Sequence, residues 1–169
     1  KIASDGEIFV KGENVMLGYW NNEEETKKVL KDGWLHTGDI GIFEKGYLKI
    51  TDRKKDILIT PGGDNISPVK IENELSNSKF IDQSIVYGDN KPYLVALLVL
   101  TEENLKATHD ELEKEIQYIN KNLSKIENIK KFFIVNERFS IENGMLTPTL
   151  KLKRYKIIQK YKNEFEKLY

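Results

Sequence analysis

Thr51-Asp52-Arg53-Lys54-Lys55-Asp56 carries five charges in six residues and separates two stretches of different apolar pattern. A charged connector between such patterns is a natural domain boundary, and it divides the chain into residues 1–54 and 55–169. Upstream, short apolar segments at Glu7 to Lys11, Gly41 to Phe43 and Tyr47 to Thr51 alternate with turns at Gly12, Gly18, Gly33, Gly38 and Gly46, and predict a small β subdomain. Its one helix is expected over Asn22 to Lys31. Asn22 is the N-cap, Glu23 to Glu25 sit at the positive end of the helix dipole, and Lys27, Lys28 and Lys31 sit at the other. Downstream, strands are expected at Ile57 to Thr60, Ile81 to Tyr87, Tyr93 to Leu100 and Phe132 to Val135. Helices are expected over Ser67 to Asn77, with Ser67 as cap and Pro68 at the first helical position, over Asp110 to Ser124, and over Leu152 to Lys167. Strands alternating with helices give an α+β class.

Across the 169 residues, 27 Lys and Arg balance 27 Asp and Glu, so the bulk positive field of a nucleic-acid binder is missing and no nucleic-acid partner is expected. Cysteine is absent, which excludes disulfides, thiolate metal sites and cysteine nucleophiles. A reducing cytoplasm is the default location. The longest apolar run, Tyr93 to Leu100, is too short to cross a bilayer, and the first residues lack the charged-then-apolar pattern of a signal peptide. The chain opens at Lys1 and enters the strand-like Glu7-Ile8-Phe9-Val10 at once, so it reads as part of a longer protein. His36 and His109 are isolated and no spacing matches a metal site, so no protein metal ligand is expected. Trp20, Trp34 and the Tyr and Phe side chains are expected in core positions.

Three stretches could carry chemistry. In Gly33-Trp34-Leu35-His36-Thr37-Gly38-Asp39-Ile40-Gly41, a carboxylate in a glycine-flanked loop can approach a sugar and accept hydrogen bonds from two vicinal hydroxyls. A turn aspartate capping its own backbone accounts for the same residues. In the second, Arg53 is one of three arginines in a lysine-rich chain, which points to a need for a planar, forked cation, although a solvated linker also fits. Gly62-Gly63, a little further on, supplies backbone able to lie against a ligand or simply to turn the chain. The third is Thr147-Pro148-Thr149-Leu150-Lys151-Leu152-Lys153-Arg154, which brings cations to the start of a helix, where the dipole opposes them unless an anion is present. Solvated lysines on a lysine-rich surface are the alternative.

The order and separation of these stretches form one pattern: W-x-x-T-G-D, then D-R-K-K-D with a following Gly-Gly loop, then T-P-T-x-K-x-K-R. Together with Gly6-Glu7-Ile8-Phe9-Val10-Lys11-Gly12 and Gly18-Tyr19-Trp20, they resemble the adenylate-forming superfamily over essentially the whole chain. The D-R-K-K-D and T-P-T-L-K-L-K-R segments resemble long-chain acyl-CoA synthetases in particular. The resemblance implies the last β-rich segment of a large N-terminal adenylating domain, followed by a small, mobile C-terminal α+β domain. It implies that Asp39 holds the ribose hydroxyls of ATP and of the acyl-adenylate, that Arg53 binds the nucleotide, and that Lys55 is the pivot between two domain arrangements. Lys151 would stabilise the attack of a carboxylate on the α-phosphate, after which the face carrying Gly62 and Gly63 would line the route of the CoA thiol. The K-x-x-R spacing favours Lys151 over Lys153. Leu150 stands where many members carry glycine, so the loop is expected to do without glycine's conformational freedom. The implied reaction joins a long-chain fatty acid to CoA with ATP and Mg2+, releasing AMP and pyrophosphate. The magnesium site, phosphate loop and acid pocket belong to the absent N-terminal domain, so the fragment alone is expected to be inactive. The implied parent is cytoplasmic or peripheral at a membrane. Alternatives are an adenylating enzyme that loads a carrier protein, and a non-catalytic module that kept the scaffold.

Overall fold

The computed structural model describes all 169 residues, which divide into two units, Lys1–Ile57 and Leu58–Tyr169. In the first unit β1 (Glu7–Val10), α1 (Glu23–Val29), β2 (Leu30–Lys31), β3 (Trp34–Glu44) and β4 (Tyr47–Arg53) make a four-stranded sheet. The long β3 pairs antiparallel with β1, β2 and β4. The Asn22 side chain caps α1 by accepting the Glu25 N–H at 3.0 Å. The helix stops at Val29, short of the expected Lys31, because Leu30 and Lys31 pair with Leu35 and Trp34 across an Asp32-Gly33 turn in which both residues have positive φ. Asp-Gly is a strong hairpin dipeptide, and here it overrides the helical pattern. Gly41 is required by contact: a Cβ there would lie 2.6 Å from the Lys49 carbonyl oxygen and 2.8 Å from Ile8 Cδ1.

This first unit has almost no interior of its own. Ile8 is its one fully buried hydrophobic side chain, while Leu17, Trp20, Phe43, Tyr47 and Ile50 are exposed. Trp20, expected in a core position, is 92% exposed. Too few residues stack on either face of one small sheet to enclose it.

The second unit contains β5 (Leu58–Ile59), β6 (Asn65–Ile66), α2 (Pro68–Ser76), β7 (Ile81–Tyr87), β8 (Leu94–Leu100), α3 (His109–Asn120), β9 (Ile129–Ile134), α4 (Arg154–Lys160) and α5 (Lys162–Glu166). Its main sheet runs β7-β8-β9, with β8 antiparallel to β7 and parallel to β9. Leu94, Ala96, Leu98 and Leu100 of β8 pack with Ile71 and Leu75 of α2 and with Leu112, Ile116 and Ile119 of α3. Val95, Leu97 and Val99 face the other way, onto Phe139, Met145, Leu146, Ile157 and Phe165. The result is a layered α+β fold with the sheet between two helical layers.

Capping fixes the helix starts. Ser67 accepts the Lys70 N–H ahead of Pro68, as expected, and Thr108 and Glu111 form a capping box that starts α3 at His109. At the other end of α3, Asn120 exchanges two 2.9 Å hydrogen bonds with the Ile129 backbone, so the helix ends and β9 begins earlier than the periodicity predicts. The expected final helix is two helices broken at Tyr161, whose hydroxyl donates to Glu137. No helix is long and apolar enough to cross a membrane. Leu98→Ala should lower the unfolding free energy of the second unit by about 2–5 kcal/mol, measured by chemical denaturation; a loss under ~1 kcal/mol would contradict the two-layer packing of β8.

Candidate active site

Between Glu7 and Phe9, β1 advances two residues while its partner β3 advances four, from Ile40 back to His36. The surplus Thr37-Gly38-Asp39 bulges from the ladder, and side chains replace the ladder bonds it loses. Glu7 Oε1 accepts the Gly38 N–H at 3.1 Å, while Thr37 Oγ1 accepts the Asp39 N–H at 3.0 Å and donates to the Ile8 carbonyl at 2.8 Å. Gly38 has φ +69°, a conformation that side-chain-bearing residues rarely adopt. On the other side of β3, Asp39 is the register partner of Arg53, whose Nε lies 2.8 Å from Asp39 Oδ1. Arg53 also donates to the Thr37 carbonyl at 3.4 Å. Asp39 and Arg53, both expected at the nucleotide, are thus brought together. Their pair is open to water, Arg53 being 57% exposed, and such pairs contribute at most about 1 kcal/mol. Either group can therefore exchange its partner for a ligand at small cost.

Sequence reasoning missed the groups behind this bulge. Glu7 is 5% exposed, and its Oε2 is 2.8 Å from Lys54 Nζ, which also contacts Asp5 at 2.6 Å. Burial pushes the Glu7 carboxyl up, but the Lys54 ammonium and the Gly38 amide outweigh it and hold it below the usual carboxylate value. An acid opening a strand beside Ile8-Phe9-Val10 was the available signal. Lys55 follows within the exposed 3-10 turn Lys54–Asp56, just before the division between the units.

In the second unit, Gly62 and Gly63 lie in an exposed turn joining β5 to β6. Thr60 N–H donates to the Asp64 carbonyl (3.0 Å), Gly63 N–H to the Thr60 carbonyl (2.9 Å), and Asp64 N–H to Thr60 Oγ1 (3.0 Å). Gly63 has φ +86°. Gly62 does not, and a Cβ there would meet nothing closer than 3.4 Å, so the turn itself does not require glycine at Gly62. A groove of about 440 Å³ runs beside it, lined among others by Gly62, Tyr93, Lys125 and Lys130.

Lys151 lies exposed in a turn of the same construction. Thr147 N–H donates to the Lys151 carbonyl (2.8 Å), Leu150 N–H to the Thr147 carbonyl (2.9 Å), and Lys151 N–H to Thr147 Oγ1 (3.0 Å). The flanking Leu146 and Leu152 bridge as Ile59 and Asn65 do around the first turn. Thr60-Pro61-Gly62-Gly63-Asp64 and Thr147-Pro148-Thr149-Leu150-Lys151 are therefore one hairpin used twice, with Leu150 in the place of Gly63. Leu150 adopts φ +60°, correcting the expectation that this loop forgoes the glycine conformation. The turn's three hydrogen bonds and the Leu146–Leu152 bridge hold a leucine in the left-handed region, where it costs about 1–2 kcal/mol.

The helix after Lys151 begins at Arg154, later than expected, because Leu152 is taken up by its bridge and Lys153 N–H bonds the Met145 carbonyl. The anion at this helix start is built into the fold. Arg154 contacts Glu72 at 2.5 Å and the Val86 carbonyl at 3.2 Å, and Glu72 accepts the Val86 N–H at 2.7 Å. Arg154 thus locks α4 to α2 and β7. Lys153, the alternative catalytic lysine, precedes α4 and is half-buried. His109, Asp110 and Glu113, which the spacing argument passed over, cluster within 4.8 Å at the exposed start of α3. Asp110 in the first turn suits the helix dipole, and Glu113, one turn on, lies 3.4 Å from His109 Nδ1. His109 is stacked on Phe132.

The family model for the AMP-binding enzyme C-terminal domain matches residues 55–169. Over its whole length the chain is 37% identical to the long-chain-fatty-acid–CoA ligase FadD15 of Mycobacterium tuberculosis, and over 99% of it 40% identical to long-chain-fatty-acid–CoA ligase 5 of Rattus norvegicus. It spans 32% and 28% of those proteins. Among solved structures, the A domain of the Segniliparus rugosus carboxylic acid reductase, in complex with AMP and a carboxylic acid, aligns with a TM-score of 0.89 at 30% identity, covering 97% of this chain and 28% of that one. The o-succinylbenzoate CoA synthetase of Bacillus subtilis in complex with its acyl-adenylate aligns at 0.73 and 29%, covering 89% and 30%. Fold, motifs and relatives agree: the chain belongs to the AMP-binding enzyme family whose C-terminal domain model it matches.

If the turn around Lys151 pays for leucine's conformation, Leu150→Gly should raise the hydrogen-exchange protection of the Leu150 and Lys151 amides, whereas Leu150→Val, β-branched at positive φ, should cost about 1–3 kcal/mol and lower it. Equal protection in the two variants would contradict this account of the turn.

Proposed function

We propose that the parent protein is a long-chain fatty acid–CoA ligase that forms an acyl-adenylate from ATP and the acid, then transfers the acyl group to CoA. The observation that supports this reading is an Asp39–Arg53 pair that precedes the Lys54–Asp56 connector in the chain and an exposed Lys151 turn that follows it. The long-chain ligases among its relatives support the substrate class. Asp39 accepts the ribose hydroxyls, and Arg53 leaves Asp39 to meet the nucleotide. Lys151 brings an ammonium to the carboxylate and the α-phosphate, two anions whose approach it stabilises. Lys55 is the pivot between the two half-reactions. The open space around Gly62, where the turn alone would accept a side chain, suits a backbone that lets the CoA pantetheine pass. ATP is used with Mg2+ held by the preceding part of the parent, which also covers the apolar side chains exposed on the first unit.

Likeness to the Segniliparus rugosus A-PCP didomain, also in complex with AMP, supports a second reading in which a carrier protein receives the acyl group. Thioester formation on free CoA, compared with a phosphopantetheinylated carrier, separates the two. In the full-length enzyme Lys151→Ala should slow adenylate formation by roughly 100- to 1,000-fold while leaving thioester formation from supplied acyl-adenylate near normal. Gly62→Val should do the reverse, with unchanged thermal stability. Normal adenylation by Lys151→Ala, measured as pyrophosphate release, would remove Lys151 from the mechanism.

A further inference from the structure

We infer that Glu7 is a positioning residue of the nucleotide site: its buried carboxylate holds the Gly38 amide, and with it the bulge that presents Asp39. The inference rests on the reading of Asp39 as a ribose ligand and adds to it the cause of that residue's placement. A bulge leaves backbone groups without ladder partners, and an unpaired buried N–H is costly. The Gly38 N–H, part-buried in the bulge, has no ladder partner, and the Glu7 carboxylate is its acceptor at 3.1 Å. Glu7 N–H is in turn held by Asp5 Oδ1 at 3.1 Å, so the acceptor sits on a fixed backbone.

A buried carboxylate is an expensive way to satisfy one amide unless its charge is compensated. Lys54 compensates it from the first residue of the Lys54–Asp56 connector, 2.8 Å from Glu7 and 2.6 Å from Asp5. The same chain segment supplies Arg53, the register partner of Asp39. The adjacent residues Arg53 and Lys54 therefore address the two ends of one bulge: Arg53 meets the Asp39 carboxylate, and Lys54 meets the Glu7 carboxylate that secures Gly38. Loss of the Glu7 acceptor releases the Gly38 amide to seek another partner, and the Asp39 carboxylate moves with it. Glu7 itself need not touch substrate, so its effect appears in nucleotide affinity and passes through Asp39.

The test uses the full-length enzyme that carries this chain. Glu7→Ala should raise KM for ATP roughly tenfold, the equivalent of one lost charge-assisted hydrogen bond, with KM for CoA unchanged and kcat little altered. Glu7→Gln, which retains an acceptor for Gly38, should recover most of the loss. The double replacement Glu7→Met with Lys54→Met guards against simple unfolding, because an apolar pair replaces the ion pair without leaving a lone buried charge; Asp5, which also loses Lys54, is exposed to water. It should melt near the wild-type temperature yet keep the raised KM for ATP. Added to Asp39→Ala, Glu7→Ala should have no further effect on KM for ATP. The inference is overturned if the Met pair binds ATP as wild type does, or if the effects of Glu7→Ala and Asp39→Ala multiply. A normal KM for ATP in Asp39→Ala alone would instead overturn the nucleotide role of Asp39, so the two failures are distinguishable.

Discussion

Because all seven residues of β8 are buried, neither face of that strand can be left to water, and each must be covered by its own helical layer. α2 and α3 cover one face; α4, α5 and the segment from Phe139 to Leu146 cover the other. The second requirement explains why the irregular stretch after β9 is so firmly built. Phe139, Met145 and Leu146 are buried there, and Gln83 exchanges hydrogen bonds of 2.7 and 3.0 Å with the Phe139 backbone. The Lys151 turn grows from this anchored stretch through Leu146. An exposed cation is thereby mounted on a packed base.

The first unit obeys a different constraint. With one fully buried hydrophobic side chain it draws little stability from apolar burial inside its own bounds. Its order comes from backbone pairing on the long β3 and from polar clamps: Glu7 with Gly38 and Lys54, Thr37 with Ile8, Thr51 with the Ile40 carbonyl. Those clamps cluster around the two irregularities of β3, where its register shifts against β1 and against β4. Polar groups thus do locally, and with direction, what a core would otherwise do by filling space. The site and the fold of this unit are made by the same few side chains.

What could be read from the sequence was local. The caps at Asn22 and Ser67 and the Pro68 start are settled within four residues, and all three occur as read. β7 was legible to the residue. Errors arose where a distant partner decides. Leu30 and Lys31 leave their helix to pair with β3, the end of α3 is set by Ile129, and Leu152 is held by Leu146. The site divides in the same way. Asp39, Arg53 and Lys151 stand in short motifs, and the resemblance names them. Glu7 acts only through a register shift involving a residue 31 positions away, and Arg154 through Glu72, 82 positions away. The pairing of the Thr60 and Thr147 turns was visible as two Thr-Pro dipeptides, but their identity became apparent only from the hydrogen bonds.

That Leu150 fills the place Gly63 fills in the twin turn has a consequence beyond backbone strain. Glycine would offer no side chain there, whereas leucine sets an isobutyl group, 68% exposed, one residue before Lys151. A surface packed on this loop would meet that apolar side chain and expel water there. The attraction between Lys151 and an anion then acts through a medium of lower dielectric constant than bulk water, and is correspondingly stronger. On the proposed role of Lys151, the charge would be screened while the loop stands open and stronger once the loop is covered, so the leucine would tie its strength to closing.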